Sequence, residues 1–395
     1  MAAGDLAIYG EDTGQESITT SGITGGAAPW DTTIQEDSIF TLDGTTKSVD
    51  CDEDGHYLVI YNIAYEIPSP APATPTRAQV ASTITINGSG TSYGRSGGYY
   101  RGVAQVGQEG GLHGASIVDL SAGDDLAVVA ARIDTAGTNG NIRRKDNKDN
   151  GSRLTIVKLN DDWDYLGIRN TAILAASSTT FADYTWNTND EVDGAYTHST
   201  STNTQNVTIE EDGLYMVFFN AEFVGSSTAN RTQMEVRMMR DAGGGFSEEL
   251  GTRTTAYIAA QSGCTINAAT YKGIHEFSAD DIIKFQYRHN NLLGTVGFPL
   301  GLGALAIVKL PDTAEVFRIH ENGGGAQADT TADYDFDTTD REDTASFDHQ
   351  TSPPDEVDAQ EDMYALLFCT FYSETTGSRN TNRIQNCFHY YIFGS

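Results

Sequence analysis

The fold of this chain is decided by the stretch Glu53-Asp54-Gly55-His56-Tyr57-Leu58-Val59-Ile60-Tyr61, in which an acidic turn leads into an apolar strand. The pattern returns at Glu211-Asp212-Gly213-Leu214-Tyr215 and, more loosely, at Glu361-Asp362-Met363-Tyr364. The tyrosines of the three stretches are 158 and then 149 residues apart. A pattern that recurs at a nearly constant distance indicates tandem repeats.

Four further patterns recur in the same order along the chain. They are an aromatic residue before Asp/Asn-Thr (Trp30, Trp186, Phe336), Arg-x-Gln (Arg77, Arg231, Arg383), a Ser-Ala turn before an Asp pair (Ser121, Ser278), and an apolar closing strand (residues 154–159 and 305–310). Together they predict three repeats, at residues 1–161, 162–312 and 313–395. The joints between them are short, so we expect neighbouring repeats to pack closely.

The composition predicts an all-β protein. A chain of 395 residues is too long for one ordinary core, and its 41 glycines fall between short apolar runs. The runs alternate as half-buried strands do, and the run that ends at Ile86 is followed by the hairpin signal Asn87-Gly88. Repeats of this length fit antiparallel β-sandwiches of eight to ten strands.

The third repeat is expected to be incomplete. Strands equivalent to residues 282–288 and 305–310 have no counterpart before Ser395. Half a sandwich leaves strand edges unpaired, which proteins normally avoid. The missing part is therefore expected to come either from further residues or from another subunit.

The charge excludes several classes of function. The net charge is -31, with 55 acidic against 24 basic residues, which argues against nucleic-acid binding and against an anionic membrane surface. No apolar run is long enough to span a membrane, and the N-terminal residues do not resemble a secretory signal. We expect no nucleic acid and no membrane insertion.

No catalytic, cofactor-binding or metal-binding residues are predicted. The four cysteines lack metal-ligand spacing, although Cys369 and Cys387 lie on successive strands and could be adjacent. The acidic run that begins at Asp333 fails as a calcium loop because Thr338 and Thr344 replace the required Gly and Glu. The joint at residues 161–164 is favoured as solvated, with an interdomain cation as the alternative. The basic stretch 143–153 is favoured as a solvated hairpin tip.

The three Arg-x-Gln arginines are expected to begin equivalent strands. Basic residues are few, so each of these arginines is predicted to pair with a carboxylate as a structural contact. A ligand site is not predicted there.

The order of the motifs resembles the jelly roll of the tumour-necrosis-factor and complement globular-head family. The residues that carry this resemblance are Gly55-His56-Tyr57 and Gly213-Leu214-Tyr215, Gly123-Asp124 and Asp280-Asp281, and the two closing strands. It implies tandem antiparallel jelly-roll-like β-sandwiches, and it implies self-association, as a homotrimer. The second repeat departs from the pattern, because Asp280 stands where the first repeat has Gly123.

These features favour a structural virion protein such as a fibre, a capsid decoration or a tail-associated phage component, acting with other virion proteins. The alternative is an exported adhesive or filament subunit, completed by strand addition between protomers. Either function places the chain in a virion or outside the cell. An enzyme, for instance a polysaccharide depolymerase, is the least favoured reading, because no pair of carboxylates stands out among so many.

Overall fold

The computed structural model is built of β-strands, and no helix occurs among the residues that it describes. In the first two repeats the described residues are 6–10, 17–18, 30, 32–66, 76–102, 109–132, 142–144, 152–160, 163–172, 174, 179–224, 232–258, 266–290 and 300–311. From residue 315 onward the described part consists of backbone strands.

The first repeat is a sandwich of two antiparallel sheets. Its strands are β1 (Leu6–Gly10), β2 (Ser17–Ile18), β3 (Thr32–Glu36), β4 (Phe40–Leu42), β5 (Val49–Cys51), β6 (Gly55–Glu66), β7 (Thr76–Ile86), β8 (Ser89–Gly102), β9 (Glu109–Leu120), β10 (Asp124–Arg132), β11 (Ile142–Arg144) and β12 (Arg153–Leu159). One sheet has the order β3-β1-β12-β6-β9, extended by β11 and β2. The other has the order β4-β5-β10-β7-β8.

The second repeat has the same design. Its strands are β13 (Tyr165–Asn170), β14 (Ala182–Asp183), β15 (Thr188–Val192), β16 (Tyr196–His198), β17 (Val207–Ile209), β18 (Gly213–Val224), β19 (Thr232–Asp241), β20 (Ser247–Glu248), β21 (Thr254–Ile258), β22 (Ile266–Phe277), β23 (Ile282–Asn290) and β24 (Leu300–Lys309). The order β15-β13-β24-β18-β22 matches the first sheet of repeat one. The order β16-β17-β23-β19, continued by β21, matches the second sheet. The prediction of tandem antiparallel jelly-roll-like β-sandwiches is therefore confirmed.

Each sandwich encloses its own core, and the recurring aromatic residues lie at equivalent places in it. Tyr57 and Tyr215 are both fully buried, as are Trp30 and Trp186. Alternate residues of each strand point inward, so that the side chains of one face exclude water from the space between the sheets. Burial of this apolar surface is the main term that stabilises such a sandwich.

Two turns connect the sequence patterns to backbone geometry. The turn between β7 and β8 has positive φ at both Asn87 and Gly88, which is the type I′ geometry that the Asn-Gly signal predicts. Gly123 precedes β10 with φ of 89°, and Asp280 takes the same place before β23 with φ of 70°. The second repeat therefore keeps the turn although it lacks the glycine, because Asp is among the few other residues that tolerate this conformation.

The third repeat comprises β25 (Glu315–His320), β26 (Gly325–Ala326), β27 (Thr338–Glu342), β28 (Phe347–His349), β29 (Val357–Ala359), β30 (Tyr364–Thr375) and β31 (Asn382–Phe393). Strands β27 and β25 repeat the pairing of β3 with β1. However, β31 pairs with both β25 and β30, which is the position of the closing strand β12. Strands β7 and β19, which carry or follow the other Arg-x-Gln arginines, lie in the second sheet instead.

The prediction that all three arginines begin equivalent strands is thus wrong for Arg383. In the described pairings, β31 lies between β25 and β30 and completes the first sheet of the third repeat. The strand that carries the third Arg-x-Gln motif therefore pairs differently from the strands that carry or follow the first two. The side chains of Arg77, Arg231 and Arg383 lie outside the described residues, so their predicted ion pairs stay predictions.

Candidate interaction surface

Three of the sequence patterns, namely the acidic turn with its tyrosine, the Ser-Ala turn and the closing strand, meet at one end of each sandwich. The Tyr57 hydroxyl donates to the carbonyl of Glu53 at 2.6 Å, and the Glu53 carboxylate pairs with Lys158 of the closing strand at 2.5 Å. Asp54 accepts the backbone N–H of Ala122 at 2.7 Å. The motifs therefore recur together because their residues contact one another.

Repeat two reproduces this arrangement contact by contact. Tyr215 donates to the Glu211 carbonyl at 2.6 Å, Lys309 pairs with the Glu211 carboxylate, and Asp212 accepts the Ala279 N–H at 2.8 Å. In both repeats the carboxylates of the acidic turn contact their own sandwich, through Glu53 and Asp54 in repeat one and through Glu211 and Asp212 in repeat two.

A third apolar cluster lies between the two sandwiches. Leu58 and Ile60 alternate with the inward-facing residues of β6, yet both are buried. They pack with Met216 and Phe218, which occupy the same positions on β18. The remaining members come from both repeats and from the joint: Ala115, Ile117, Val157, Leu159, Trp163, Tyr165, Ile274, Ala306, Val308 and Leu310. Neighbouring repeats therefore share a core.

The contact between the repeats places an edge of the first on a sheet face of the second. Strands β8 and β9 of repeat one lie against β18, β22 and β24 of repeat two. Gly167 on β13 faces Ile117 so closely that an added Cβ would stand 3.4 Å from the Ile117 Cβ. The interface is therefore heterologous, because the two repeats contribute different surfaces. We call the outward side of β13, β15, β18 and β24 the receiving face of repeat two.

A buried ion pair crosses this interface. Arg95 of β8 contacts the carboxylate of Glu222 on β18, whose side chain is 4% exposed. Burial raises the pKa of Glu222 above its ordinary value, and Arg95 acts in the opposite direction. Such a pair contributes little net stability, but removing one partner leaves a buried charge uncompensated. It therefore favours this alignment of the repeats over others.

Two further polar contacts position the edge of repeat one. The Asn220 side-chain amide donates to the Ala115 carbonyl at 3.3 Å. Arg169 forms an ion pair with Asp190 at 2.5 Å, and its guanidinium lies 4.1 Å from the ring centroid of Tyr93 in the first repeat. Both contacts join the receiving face to β8 or β9.

At the rim of the interface, His56 bridges the repeats. Its Nδ1 is 2.6 Å from the Tyr165 hydroxyl, and its Nε2 is 3.2 Å from a Glu191 oxygen. Asp119 of the first repeat lies 4.0 Å from the same ring nitrogen. The histidine links the two sandwiches, and its polar partners come from both.

The arrangement most like a catalytic relay lies inside the second core. The Tyr271 hydroxyl is 2.6 Å from Nε2 of His275, whose Nδ1 is 3.3 Å from Glu249. Tyr271 and His275 are both essentially inaccessible to solvent. A substrate could not reach the tyrosine oxygen without opening the sandwich, so the network serves to satisfy buried polar groups.

The structure describes part of the joint between the repeats that was considered as a cation site. Trp163 packs in the shared core, and the Asp164 carbonyl accepts the backbone N–H of Lys309. Asp161 and Asp162 lie outside the described residues, and so does the acidic run from Asp333 to residue 337. Part of the basic stretch is a strand, because β11 pairs with β2 and β6. The register of β30 with β31 places Cys387 opposite Thr370, one residue away from Cys369.

Within the described residues, no group of three or more His, Cys, Asp or Glu side chains is arranged to hold a metal ion. A search of the same residues for a helix that could cross a membrane finds none.

Sequence reasoning predicted that neighbouring repeats pack closely, but it did not identify the residues of the interface, although the chain contains a signal for them. In both repeats the strand after the acidic turn is apolar at consecutive positions, and a continuous apolar run is typical of a strand that is buried on both faces. One face fills the sandwich, and the other must be covered by something else. The sequence does not say by what.

No family model matches the chain, and no curated protein matches it. Among solved structures, murine APRIL at pH 8.5 aligns over 38% of this chain and 100% of its own length, with 17% identity and a TM-score of 0.26. Murine APRIL at pH 8.0 aligns over the same shares with 16% identity and a TM-score of 0.27. The strand order and register given above define the chain as a tandem jelly-roll-like β-sandwich protein. This assignment does not depend on the similarity to these structures.

Proposed function

We propose that this chain is a non-catalytic structural component of a virion, such as a fibre, a capsid decoration or a tail-associated protein. The observation that carries the proposal is the shared apolar core between repeats one and two. It turns two sandwiches into one stiff body, which a load-bearing part of a particle needs.

Three other features support a structural role. The recurring acidic turn directs the carboxylates of Glu53 and Asp54 at its own sandwich, which suits a role in holding the shape of the repeat. The Tyr271–His275 network is sealed in a core. In addition, the large negative charge keeps separate copies from associating at random at high concentration.

The test is to look for the chain in purified particles. Particles from the source of this sequence are purified by density gradient and analysed by quantitative mass spectrometry. The chain should co-purify at a fixed copy number per particle, a multiple of three or six if it follows the particle symmetry. Its absence from particles, while it is abundant in the unbound fraction, contradicts the proposal.

The second candidate is a filament or adhesive subunit that is completed by strand addition. The observation that favours it is strand β30, whose described backbone pairing is with β31 on one side. An unpaired strand edge is a template for a strand of another protomer. Purified protein that polymerises without other components supports this function, and a discrete species at high concentration excludes it.

A further inference from the structure

The outward side of the second sheet of repeat two differs in charge from the rest of this acidic chain. It is formed by β19, β20, β21 and β23, and it lies on the side of the sandwich away from the receiving face. Residues 232–258 and 281–290 build this part of the sheet, and they contain five of the 24 basic residues and five of the 55 acidic residues. We call this side the balanced face, because the formal charges of these two segments cancel.

The cations of the balanced face are paired with carboxylates of the same chain. Three ion pairs show this: Arg237 with Glu248 at 2.9 Å, Lys284 with Asp183 at 3.0 Å, and Arg288 with Glu235 at 2.6 Å. A polyanion that bound here would have to displace a carboxylate from each of these cations. The charge pattern is therefore better suited to a partner that carries both signs of charge.

Aromatic rings lie on the same cations. The guanidinium of Arg237 is 3.7 Å from the ring centroid of Phe181, and the guanidinium of Arg288 is 4.4 Å from that ring. The ammonium of Lys284 is 4.1 Å from the ring centroid of Phe246. These contacts hold the long side chains in place, so a partner that binds here immobilises few of them anew.

Exposed apolar side chains are concentrated on this part of repeat two. Among the described residues, four large hydrophobic side chains are exposed: Ile34, Phe246, Leu250 and Tyr257. Three of the four lie between residues 246 and 257. Leu250 is 75% exposed on the connection between β20 and β21, where the Thr252 hydroxyl donates to the Glu249 carbonyl at 2.7 Å. Exposed apolar side chains beside arginine and aromatic residues are typical of protein–protein contacts.

Repeat one lacks this face, although its strands are equivalent. Its β7 and β10 place Ala81 opposite Ala131, where β19 and β23 of repeat two place Glu235 opposite Arg288. Ala81 and Ala131 are both buried. The sandwich therefore does not need charged residues at these positions, and the fold alone does not account for the balanced face.

A second copy of this chain fits the balanced face by charge and by apolar surface. Two chains with a net charge of -31 repel each other, and the local repulsion is weakest where both present balanced charge. Exposed apolar side chains are best covered by other apolar side chains, and most of those described lie on this same face. Both arguments place the same face on each side of the contact, which is the isologous arrangement of a twofold dimer.

We propose that this chain forms a twofold dimer in which the balanced faces of two copies pack on each other, with Phe246 and Leu250 at the contact. The contact joins sheet faces, so it differs from strand addition at an edge. Its twofold symmetry also differs from the homotrimer that the family resemblance implies. The inference is independent of the proposed function, because it concerns the purified chain and requires no particle.

The test is sedimentation equilibrium of the full chain over a range of concentrations, at about 20 mM and about 500 mM salt. Leu250→Asp adds a charge at the proposed contact. Ile34→Asp is the matched control, because it makes the same change at an exposed apolar residue of repeat one. Circular dichroism on heating shows whether each variant is folded, and Leu250→Ser replaces Leu250→Asp if the latter does not fold.

We expect a monomer–dimer equilibrium whose dissociation constant falls by about tenfold or more at the higher salt, because salt screens the repulsion between the two acidic chains. Leu250→Asp should raise the dissociation constant by about tenfold or more, since it buries a charge in the contact. Ile34→Asp should leave it within about twofold, since surface changes away from a contact have small effects. Hydrogen–deuterium exchange should show protection of residues 241–258 in the dimer.

Several results would overturn the proposal. These are a monomer at every concentration and both salts, a trimer or larger species, and a dimer that Leu250→Asp leaves intact. A dimer that weakens as salt is added would also overturn it, because such a contact depends on attraction between opposite charges. A chain that stays monomeric and binds heparin through residues 241–258 assigns the face to a polyanion instead.

Discussion

Tyr215 ties a turn to a core through one side chain. Its ring packs within 5.9 Å of the Tyr196 ring and 5.6 Å of the Phe277 ring, while its hydroxyl reaches the Glu211 carbonyl. Tyr57 does the same in repeat one, beside Phe40. The tyrosine fills the core with its ring and fixes the turn with its hydroxyl. This double role explains why both repeats have a tyrosine at this position of the motif.

Replacing Tyr215 by Ala should lower the free energy of unfolding by about 3–5 kcal/mol, because a large aromatic side chain leaves a cavity. Tyr215→Phe, the matched control, removes the bond to Glu211 and should cost about 1 kcal/mol. Denaturant titration measures both. A loss below about 1 kcal/mol for the alanine variant would mean that Tyr215 is not a core residue of its repeat.

Gly123 provides a second prediction at the residue scale. Gly123 and Gly44 both have open space where a Cβ would stand, but only Gly123 among the two has positive φ. Gly123→Ala should therefore destabilise by about 1–2 kcal/mol, and Gly44→Ala should change stability little. Equal effects of the two substitutions in thermal unfolding would contradict the conformational explanation.

At the scale of elements, two neighbouring strands of repeat one place like charges opposite each other. Asp125 of β10 lies directly across from Asp50 of β5. A hydrogen bond with Asp125, together with burial and the repulsion of nearby carboxylates, raises the pKa of Asp50 to about 6. Like charges that face one another across an antiparallel pair destabilise it when both are ionised.

This pair predicts an unusual pH dependence. Because the folded-state pKa of Asp50 is raised, the folded state binds more protons than the unfolded chain between about pH 4 and 6, so its contribution to stability should increase as pH falls from 7 to 5. Asp50→Asn should remove that increase and stabilise the protein at pH 7.

Asp124 provides the control for this experiment. The backbone N–H of Ser121 and the side chain of Asn87 lower its pKa, so its contribution is present above the unfolded pKa and is lost on acidification. Asp124→Asn should therefore have the opposite effect on the pH profile. Unfolding curves of the three proteins between pH 4 and 7 decide the matter, and parallel profiles for wild type and Asp50→Asn would refute the explanation.

At the scale of the molecule, the shared core couples two sandwiches that could each enclose a core alone. Phe218 belongs to the shared cluster, and its neighbour Phe219 on β18 belongs to the core of repeat two. Because successive side chains of a strand point to opposite faces, one set of side chains on β18 fills the core of repeat two and the other set packs against repeat one.

Phe218→Ala should cost about 3–5 kcal/mol and separate the unfolding of repeats one and two into two transitions. Phe219→Ala should cost a similar amount yet leave the repeats coupled, since it opens a cavity within one sandwich. Differential scanning calorimetry distinguishes these outcomes. If both variants show the same number of transitions as wild type, the shared core does not couple the repeats.

The fragments of the chain give the last prediction. Residues 1–312 contain both sandwiches and their shared core, so this fragment should fold alone. Residues 313–395 should not, because a partial sandwich buries too little apolar surface to offset the entropy of ordering it. Circular dichroism on heating tests both fragments, and a cooperative transition in the isolated 313–395 fragment would show that the third repeat needs no neighbour.

Much of the architecture follows from local pattern. The all-β class, the tandem sandwiches and the Asn87-Gly88 hairpin were predictable, because strand alternation and turn chemistry depend on neighbouring residues. The sequence pattern did not show whether the second repeat keeps the turn in which Asp280 replaces Gly123. The structure shows that it does, because Asp280 has positive φ.

What only the tertiary structure decided is where the second faces of the strands are buried. The run from Tyr57 to Tyr61 indicates a strand that is buried on both faces. An apolar side chain does not specify which surface will cover it, since the hydrophobic effect is non-directional. Ile60 lies in one cluster with Phe218, and Arg95 pairs with Glu222. In both cases the two residues are more than a hundred positions apart in the sequence. The place of β31 was misjudged for the same reason, because strand pairing is settled by which backbone edges are free and not by the motif that a strand contains.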